Sequence, residues 1–129
     1  MALTISAAAA QAMGAALATD IGSGATIDIR SGSKPATPET TATGTLLATV
    51  TISGSFSSSG ATLTSADPAS ASVVATGTAG YFRVKTSGGT AKIDGTVGTS
   101  GADMNLSSTS LVSGGTVDLG VPSFTVPVA

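Results

Sequence analysis

The chain contains no cysteine, no histidine and no tryptophan. Without cysteine and histidine, the sequence excludes disulfides, thiol nucleophiles, histidine-assisted catalytic triads and the commonest zinc sites. The single glutamate, Glu39, lies in a proline-containing stretch, and the six aspartates are scattered along the chain, so the carboxylate pair of a glycosidase is not indicated. We therefore predict a protein that is not an enzyme and that uses no cofactor and no metal.

Charge is also scarce. Only 9 % of the residues are charged and the net charge is −2, whereas soluble domains average about 25 % charged residues. No basic stripe is present, which argues against nucleic acid as a partner. The first basic residue is Arg30, so the apolar N-terminal run has no charged region of the kind that begins a secretory signal. That run is also too polar for a membrane span, and we expect no export and no membrane partner.

The composition nevertheless predicts a folded domain. Hydrophobic residues make up 41 % of the 129 residues, but aromatic residues make up only 3 %. A core built from Val, Ile, Leu and Ala buries little apolar area per residue, so we expect further burial between subunits. This predicts that the chain associates with other subunits.

Residues 1–24 are predicted to form an N-terminal arm and one Ala-rich helix that packs on the domain or on a partner. Ser6 is a suitable N-cap for a helix over residues 6–19, and Gly22 and Gly24 are suited to end it. Apolar residues recur at helical spacing on one side of this helix. The anchor that we predict from this segment comprises Leu3, Ile5, Met13 and Leu17.

From residue 25 onward, apolar residues alternate with polar ones at a period of two, which is typical of half-buried strands. Gly, Pro and Ser clusters separate roughly seven or eight such segments. The fold predicted for residues 25–129 is therefore mainly β, an antiparallel β-sandwich or barrel-like domain of about seven or eight short strands. The Ser/Gly-rich stretch 53–72 is predicted to be a loop around one short strand, with Phe56 and Leu63 as its apolar anchors.

The segment "GYFRVKTSGGTAKIDG", residues 80–95, is the densest in functional groups. Its alternation predicts a hairpin with Phe82, Val84 and Ile93 in the core and a tight turn at the two glycines. The other face would carry Tyr81, Arg83, Lys85, Lys92 and Asp94. This face is either the solvated side of a structural hairpin, with charge pairs across the strands, or a contact surface for a partner.

Two long stretches, "IDIRSGSKPATPETTATGTLLATVTIS" and "GTAGYFRVKTSGGTAKIDGTVGTSGADMNLSSTSLVSGGTVDLGVPSFTVPV", resemble a group of small virion proteins of tailed bacteriophages. The resemblance covers nearly the full length, and its motifs are structural. It implies a structural component of the particle, most simply a head decoration (cement) protein. Such a protein would bind the major capsid protein on the capsid exterior after synthesis in the host cytoplasm. The resemblance also implies that it acts as a homodimer or homotrimer.

Two alternatives remain at this stage. A phage tail tube or baseplate-associated subunit could use the same kind of rigid β domain, since fold does not fix function. An adhesin or a carbohydrate-binding β-sandwich is the second alternative, although Tyr81 is the only tyrosine and tryptophan is absent.

Overall fold

The computed structural model describes residues 6–52, 54, 56–59, 62–65, 69–120 and 123–125. It is mainly β, with one helix and a curled mixed sheet. Two of the predicted anchor residues, Leu3 and Ile5, lie outside the described residues.

Helix α1, Ala7–Ile21, begins as predicted and ends two residues later than predicted. The Ser6 hydroxyl accepts a hydrogen bond from the Ala9 N–H at 3.1 Å, which confirms the N-cap. At the other end Gly22 has φ 72° and donates its N–H to the Ala18 carbonyl. The positive φ favours glycine at this position and ends the helix there.

The buried side of α1 differs from the predicted one. The side chains of Ala18 and Ile21 are buried, and Leu17 is partly buried against the core, while Met13 is 48 % exposed. Met13 therefore does not pack on the domain, and its predicted role as an anchor stays a prediction about a partner. Ile21 lies beyond the predicted helix end. Because this large residue is buried, the packed side of the helix is the one that carries it, against the two short strands Phe56–Ser59 and Thr62–Ser65.

Eleven strands lie within the described residues. Those of the main sheet are β1 (Thr26–Ser31), β2 (Leu46–Thr51), β6 (Gly77–Lys85), β7 (Ala91–Gly98), β8 (Met104–Asn105) and β9 (Ser110–Leu111). The others are β3 (Phe56–Ser59), β4 (Thr62–Ser65), β5 (Ala69–Ser72), β10 (Thr116–Gly120) and β11 (Ser123–Thr125).

The main sheet has the order β2-β1-β6-β7-β8, and β9 pairs with the beginning of β6. A second sheet pairs β5 with β10, and a third has the order β11-β4-β3. The predicted Ser/Gly-rich loop thus contains three short strands. Its expected anchors are confirmed, since Phe56 and Leu63 are 5 % and 0 % exposed.

The prediction of a purely antiparallel sheet is wrong at one place. Strand β8 runs parallel to the end of β7, with Val97 opposite Met104. Residues 99–103 loop out between the two strands. The Asp103 carboxylate accepts hydrogen bonds from the N–H and the hydroxyl of Thr96, at 3.0 and 3.2 Å, and these bonds hold the loop back on β7.

The core lies on one face of β1 and β6 and is mostly aliphatic. Ile27, Ile29 and Val84 are each 0 % exposed and Phe82 is 1 % exposed. Ile93 is partly buried against them, so the predicted inward side of the hairpin is confirmed. The opposite face of the same strands carries the polar side chains described next.

Candidate functional site

The five residues predicted to form an outward hairpin face do not form an open surface. Tyr81 is 0 % exposed and Arg83 is 5 % exposed. The prediction that these two side chains point into solvent is therefore wrong, and the same holds for the Asp94 side chain, which is 2 % exposed. The alternation assigns these residues to the correct face of the sheet, but their side chains are buried, as are those on the core face.

Arg83 and Asp94 form a two-pronged ion pair between β6 and β7, where they are direct cross-strand partners. Arg83 Nε donates to Asp94 Oδ1 at 2.7 Å, and a terminal guanidinium nitrogen donates to Oδ2 at 2.8 Å. Hydrogen bonding to Asp94 raises the pKa of Arg83, against the opposing effect of burial. Because the folded-state pKa is raised, this stabilisation is complete below the ordinary pKa of arginine and is lost only as the pH rises through the raised value.

A second polar cluster joins β2, β1 and β6. Asp28, which is 3 % exposed, lies opposite Arg83 on one side and opposite Thr49 on the other. Its carboxylate accepts a hydrogen bond from the Thr49 hydroxyl at 3.1 Å and pairs with Lys85 Nζ at 2.7 Å. The two clusters place alternating negative and positive groups on three neighbouring strands, β1, β6 and β7, an arrangement that fixes their register.

The loop between β1 and β2, residues 32–45, lies against the Tyr81 end of this polar face. The Tyr81 hydroxyl donates to the Thr43 carbonyl at 2.6 Å and accepts from the Thr43 N–H at 3.0 Å. Ser31 and Thr45 close the base of the loop, with the Ser31 N–H donating to the Thr45 carbonyl at 3.1 Å. A proline-containing segment predicted as a surface loop is thus held against the sheet by Tyr81, by the Ser31–Thr45 bonds and by the Arg30 guanidinium, which donates to the Gly44 carbonyl at 3.3 Å.

We expect that the Tyr81→Phe variant keeps the fold but opens this loop. The change removes two hydrogen bonds to Thr43 and leaves both Thr43 backbone groups without that partner, a loss of about 1–3 kcal/mol. A glutamate-specific protease should then cut after Glu39, which is exposed in the loop, several times faster than in the wild type. Equal cleavage rates for the two proteins, measured under native conditions, would show that Tyr81 does not hold the loop.

The β7 edge of the main sheet is protected. The pairing of β6 with β7 shifts register between Val84 and Lys85, which leaves Lys92 as an extra residue on β7. Lys92 Nζ binds Asp20 at the end of α1 at 2.8 Å, and Asp103 occupies the N–H of Thr96 further along the strand. A bulge, a lysine and a capped N–H are features that hinder pairing with another strand.

The large exposed apolar side chains were not found by the sequence analysis as a group. Among the described residues they are Met13, Val74 and Val112, which are 48 %, 64 % and 61 % exposed. Val74 and Val112 lie on two segments that hydrogen bonds hold together. The Val73 N–H donates to the Gly115 carbonyl, the Gly114 N–H donates to the Val73 carbonyl, and the Ser113 N–H donates to the Thr76 hydroxyl, at 2.9, 2.9 and 3.0 Å. We call Val74 and Val112 the valine pair.

The polar clusters are structural in character, because each side chain in them is engaged within the subunit. Within the described ranges, no group of three or more acidic residues is arranged to hold a metal ion. No helix in the described part of the chain is long and apolar enough to cross a membrane. In comparisons with known proteins, no family model, no curated protein and no solved structure matches the chain.

Proposed function

We propose that this chain is a structural protein of a tailed-phage particle, a decoration protein that binds the outside of the head and stabilises the shell. The observation that carries the proposal is how the side chains are divided between interior and surface. The four charged residues of the sheet's ion pairs are engaged within the subunit, whereas Met13, Val74 and Val112 leave large apolar side chains exposed. Such a surface suits contact with other proteins.

The resemblance of the sequence to small virion proteins supports the same function. We further infer that the three sheets and α1 close around one core as a sandwich-like or barrel-like domain. A small rigid domain, present in many copies on a lattice, can stabilise a shell through contacts that are individually weak. In this proposal the major capsid protein is the partner, and the valine pair is the part of the surface that contacts it.

The protected β7 edge favours the head over the tail. A subunit that closes a tube ring by strand pairing needs long open edges. Proteins that avoid such pairing shield their edge strands with lysines, bulges or covering groups. Here Lys92 lies at a bulge, and further along the strand the N–H of Thr96 is bound by Asp103. We therefore prefer a protein that binds to a finished surface.

We expect that replacing both members of the valine pair with serine weakens binding to heads assembled without this protein. Because the two valines are 64 % and 61 % exposed in the subunit, burying them contributes about 2 kcal/mol, and the affinity per site should fall about thirtyfold. The measurement is co-sedimentation of the purified variant with such heads over a range of concentrations. The variant should remain folded, because both side chains are exposed in the subunit.

The matched control is the double variant Thr41→Ser, Thr51→Ser, which alters two other exposed positions. It should bind as the wild type does. Equal binding by the valine variant and this control would show that the valine pair is not the contact surface. Absence of head binding by the wild-type protein itself would contradict the proposed function.

A further inference from the structure

Strand β2 forms one edge of the main sheet, and in the described part of the chain only β1 is paired with it. Residues of an antiparallel ladder alternate, so that every second residue bonds the neighbouring strand and the others direct their N–H and C=O groups away from it. The Ile52 N–H donates to the Ala25 carbonyl at 2.8 Å, which places Val50 among the residues that bond β1. Thr49 and Thr51 therefore direct their backbone groups outward.

The outward groups of Thr49 and Thr51 are available to another chain. Both residues are exposed, and no strand within the described ranges is paired with this side of β2. Strand β5 lies close by but pairs with β10 instead. The stretch is closed before Thr49, where the Leu47 carbonyl accepts the Val74 N–H at 2.7 Å, and β2 ends at Thr51. We call Thr49 and Thr51 the open edge.

The open edge lacks the features that protect β7. The sequence of β2, "LLATVT", contains no charged residue and no proline, and the irregularity in its pairing with β1, between Ile29 and Arg30, falls at the closed end. On β7, by contrast, Lys92 lies at a bulge and the Thr96 N–H is already bound. A regular, uncharged edge strand is a template for pairing with another strand. The open edge is therefore suited to a partner strand, whereas β7 is not.

We propose that the open edge pairs with the open edge of a second copy, the two β2 strands running antiparallel about a twofold axis beside Val50. In this register Thr49 lies opposite the partner's Thr51, and Thr51 lies opposite the partner's Thr49. Each of the four residues donates one N–H and accepts at one C=O, so the pair forms four hydrogen bonds and leaves none of these outward groups unbonded. The exposed threonine side chains meet as cross-strand pairs.

The bounds of the open edge favour a second copy over an extended segment of another protein. A longer strand would meet the Leu47–Val74 bond at one end, and its remaining N–H and C=O groups would find no partner there. A second copy presents the same two residues, closed at the same points. The nearest carboxylate, that of Asp28, is already paired with Lys85, so two copies meet without charge repulsion. The shared ladder joins the two main sheets and uses no side chain of the valine pair.

This pairing goes beyond binding to a head and can be tested with the purified protein alone. Thr51→Pro removes an N–H that would bond only the second copy, and proline is tolerated at edge positions whose N–H faces solvent. We expect sedimentation equilibrium to show a wild-type dimer, which Thr51→Pro weakens at least about tenfold. Thr51→Val is the matched control, since it keeps both the N–H and the β-branched shape, and it should dimerise at least as well as the wild type. Circular dichroism checks that each variant is folded.

A second test does not depend on how β2 tolerates proline. The chain has no cysteine, so an introduced cysteine can form a disulfide only with another copy. We expect a mixture of the Thr49→Cys and Thr51→Cys proteins, one of them isotope-labelled, to cross-link mainly as the mixed species under mild oxidation. Its two cysteines lie directly opposite, about 5.5 Å apart at Cα, which a disulfide spans. Like cysteines lie diagonally, more than about 7 Å apart, so mass spectrometry should find the mixed link at least about tenfold more often.

The inference is overturned if the wild-type protein remains monomeric at the highest soluble concentration, or if Thr51→Pro dimerises as well as Thr51→Val does. Mixed and like cross-links formed in the proportions of random collision would overturn it as well. A monomer that still coats heads would contradict the strand pairing alone, whereas a dimer that binds no heads would contradict the decoration role alone.

Discussion

Replacing Arg83 with methionine should lower the free energy of unfolding by about 3–5 kcal/mol, the largest effect that we expect from a single side chain. The change leaves the Asp94 carboxylate, whose side chain is 2 % exposed, without its main partner. An unpaired buried charge costs far more than the pair contributes. For a domain with a total stability of about 5–15 kcal/mol, this is a large fraction, and urea denaturation followed by circular dichroism measures it.

Two further variants show whether burial is the cause. The double variant Arg83→Met, Asp94→Leu removes both charges and should be more stable than Arg83→Met alone. Lys92→Met breaks an ion pair in which Asp20 is 56 % exposed, and should change the stability by less than about 1 kcal/mol. Similar losses for Arg83→Met and Lys92→Met would show that the Arg83–Asp94 pair is not buried as described.

Replacing Gly80 with alanine should destabilise the protein by about 3 kcal/mol, because an added methyl group meets backbone rather than a movable side chain. Gly80 lies in β6 where the pairing with β1 shifts register between Arg30 and Ser31. A Cβ at this position would overlap the carbonyl oxygen of Gly32. To remove this overlap, the bulge and the start of the 32–45 loop must move together.

Gly88→Ala is the matched control for this backbone effect. Gly88 lies in the exposed turn of the β6–β7 hairpin, and the nearest atom to an added Cβ is the Thr86 hydroxyl oxygen at 3.7 Å. Alanine should be neutral there or stabilise slightly, by about 0.5 kcal/mol, through the unfolded chain. Thermal or urea unfolding of both variants gives the comparison, and a Gly80→Ala protein as stable as Gly88→Ala would contradict the close approach of β6 to Gly32.

The alternation of the sequence predicts the two sides of β1, β6 and β7 but does not reveal that both carry buried side chains. Period-two patterning distinguishes apolar from polar positions, and Phe82 and Val84 are in the core as expected. The period-two pattern contains no information on the position of the 32–45 loop. A signal was nevertheless present. The segment "TIDIR" carries the negative Asp28, and "YFRVK" carries the positive Arg83 and Lys85 at alternating positions. This pattern favours adjacent strands with Asp28 opposite Arg83.

Elements whose stability depends on distant partners were predicted less well. Strand β5 has no apolar residue larger than alanine, and it forms because β10, more than forty residues later, pairs with it. The inner side of α1 was missed for a related reason. The apolar spacing along α1 fits two sides of the helix, and only the packing on β3 and β4 distinguishes them. Local pattern identifies such segments, whereas tertiary contacts decide how each one is used.

Immunogold labelling of particles from a lysate of the producing strain, with antibodies to the purified protein, tests the decoration role most directly. We expect gold spread over the heads. Gold confined to tails would contradict the head assignment in favour of a tail subunit. Gold on cells with none on particles would contradict a virion role altogether and favour an adhesin.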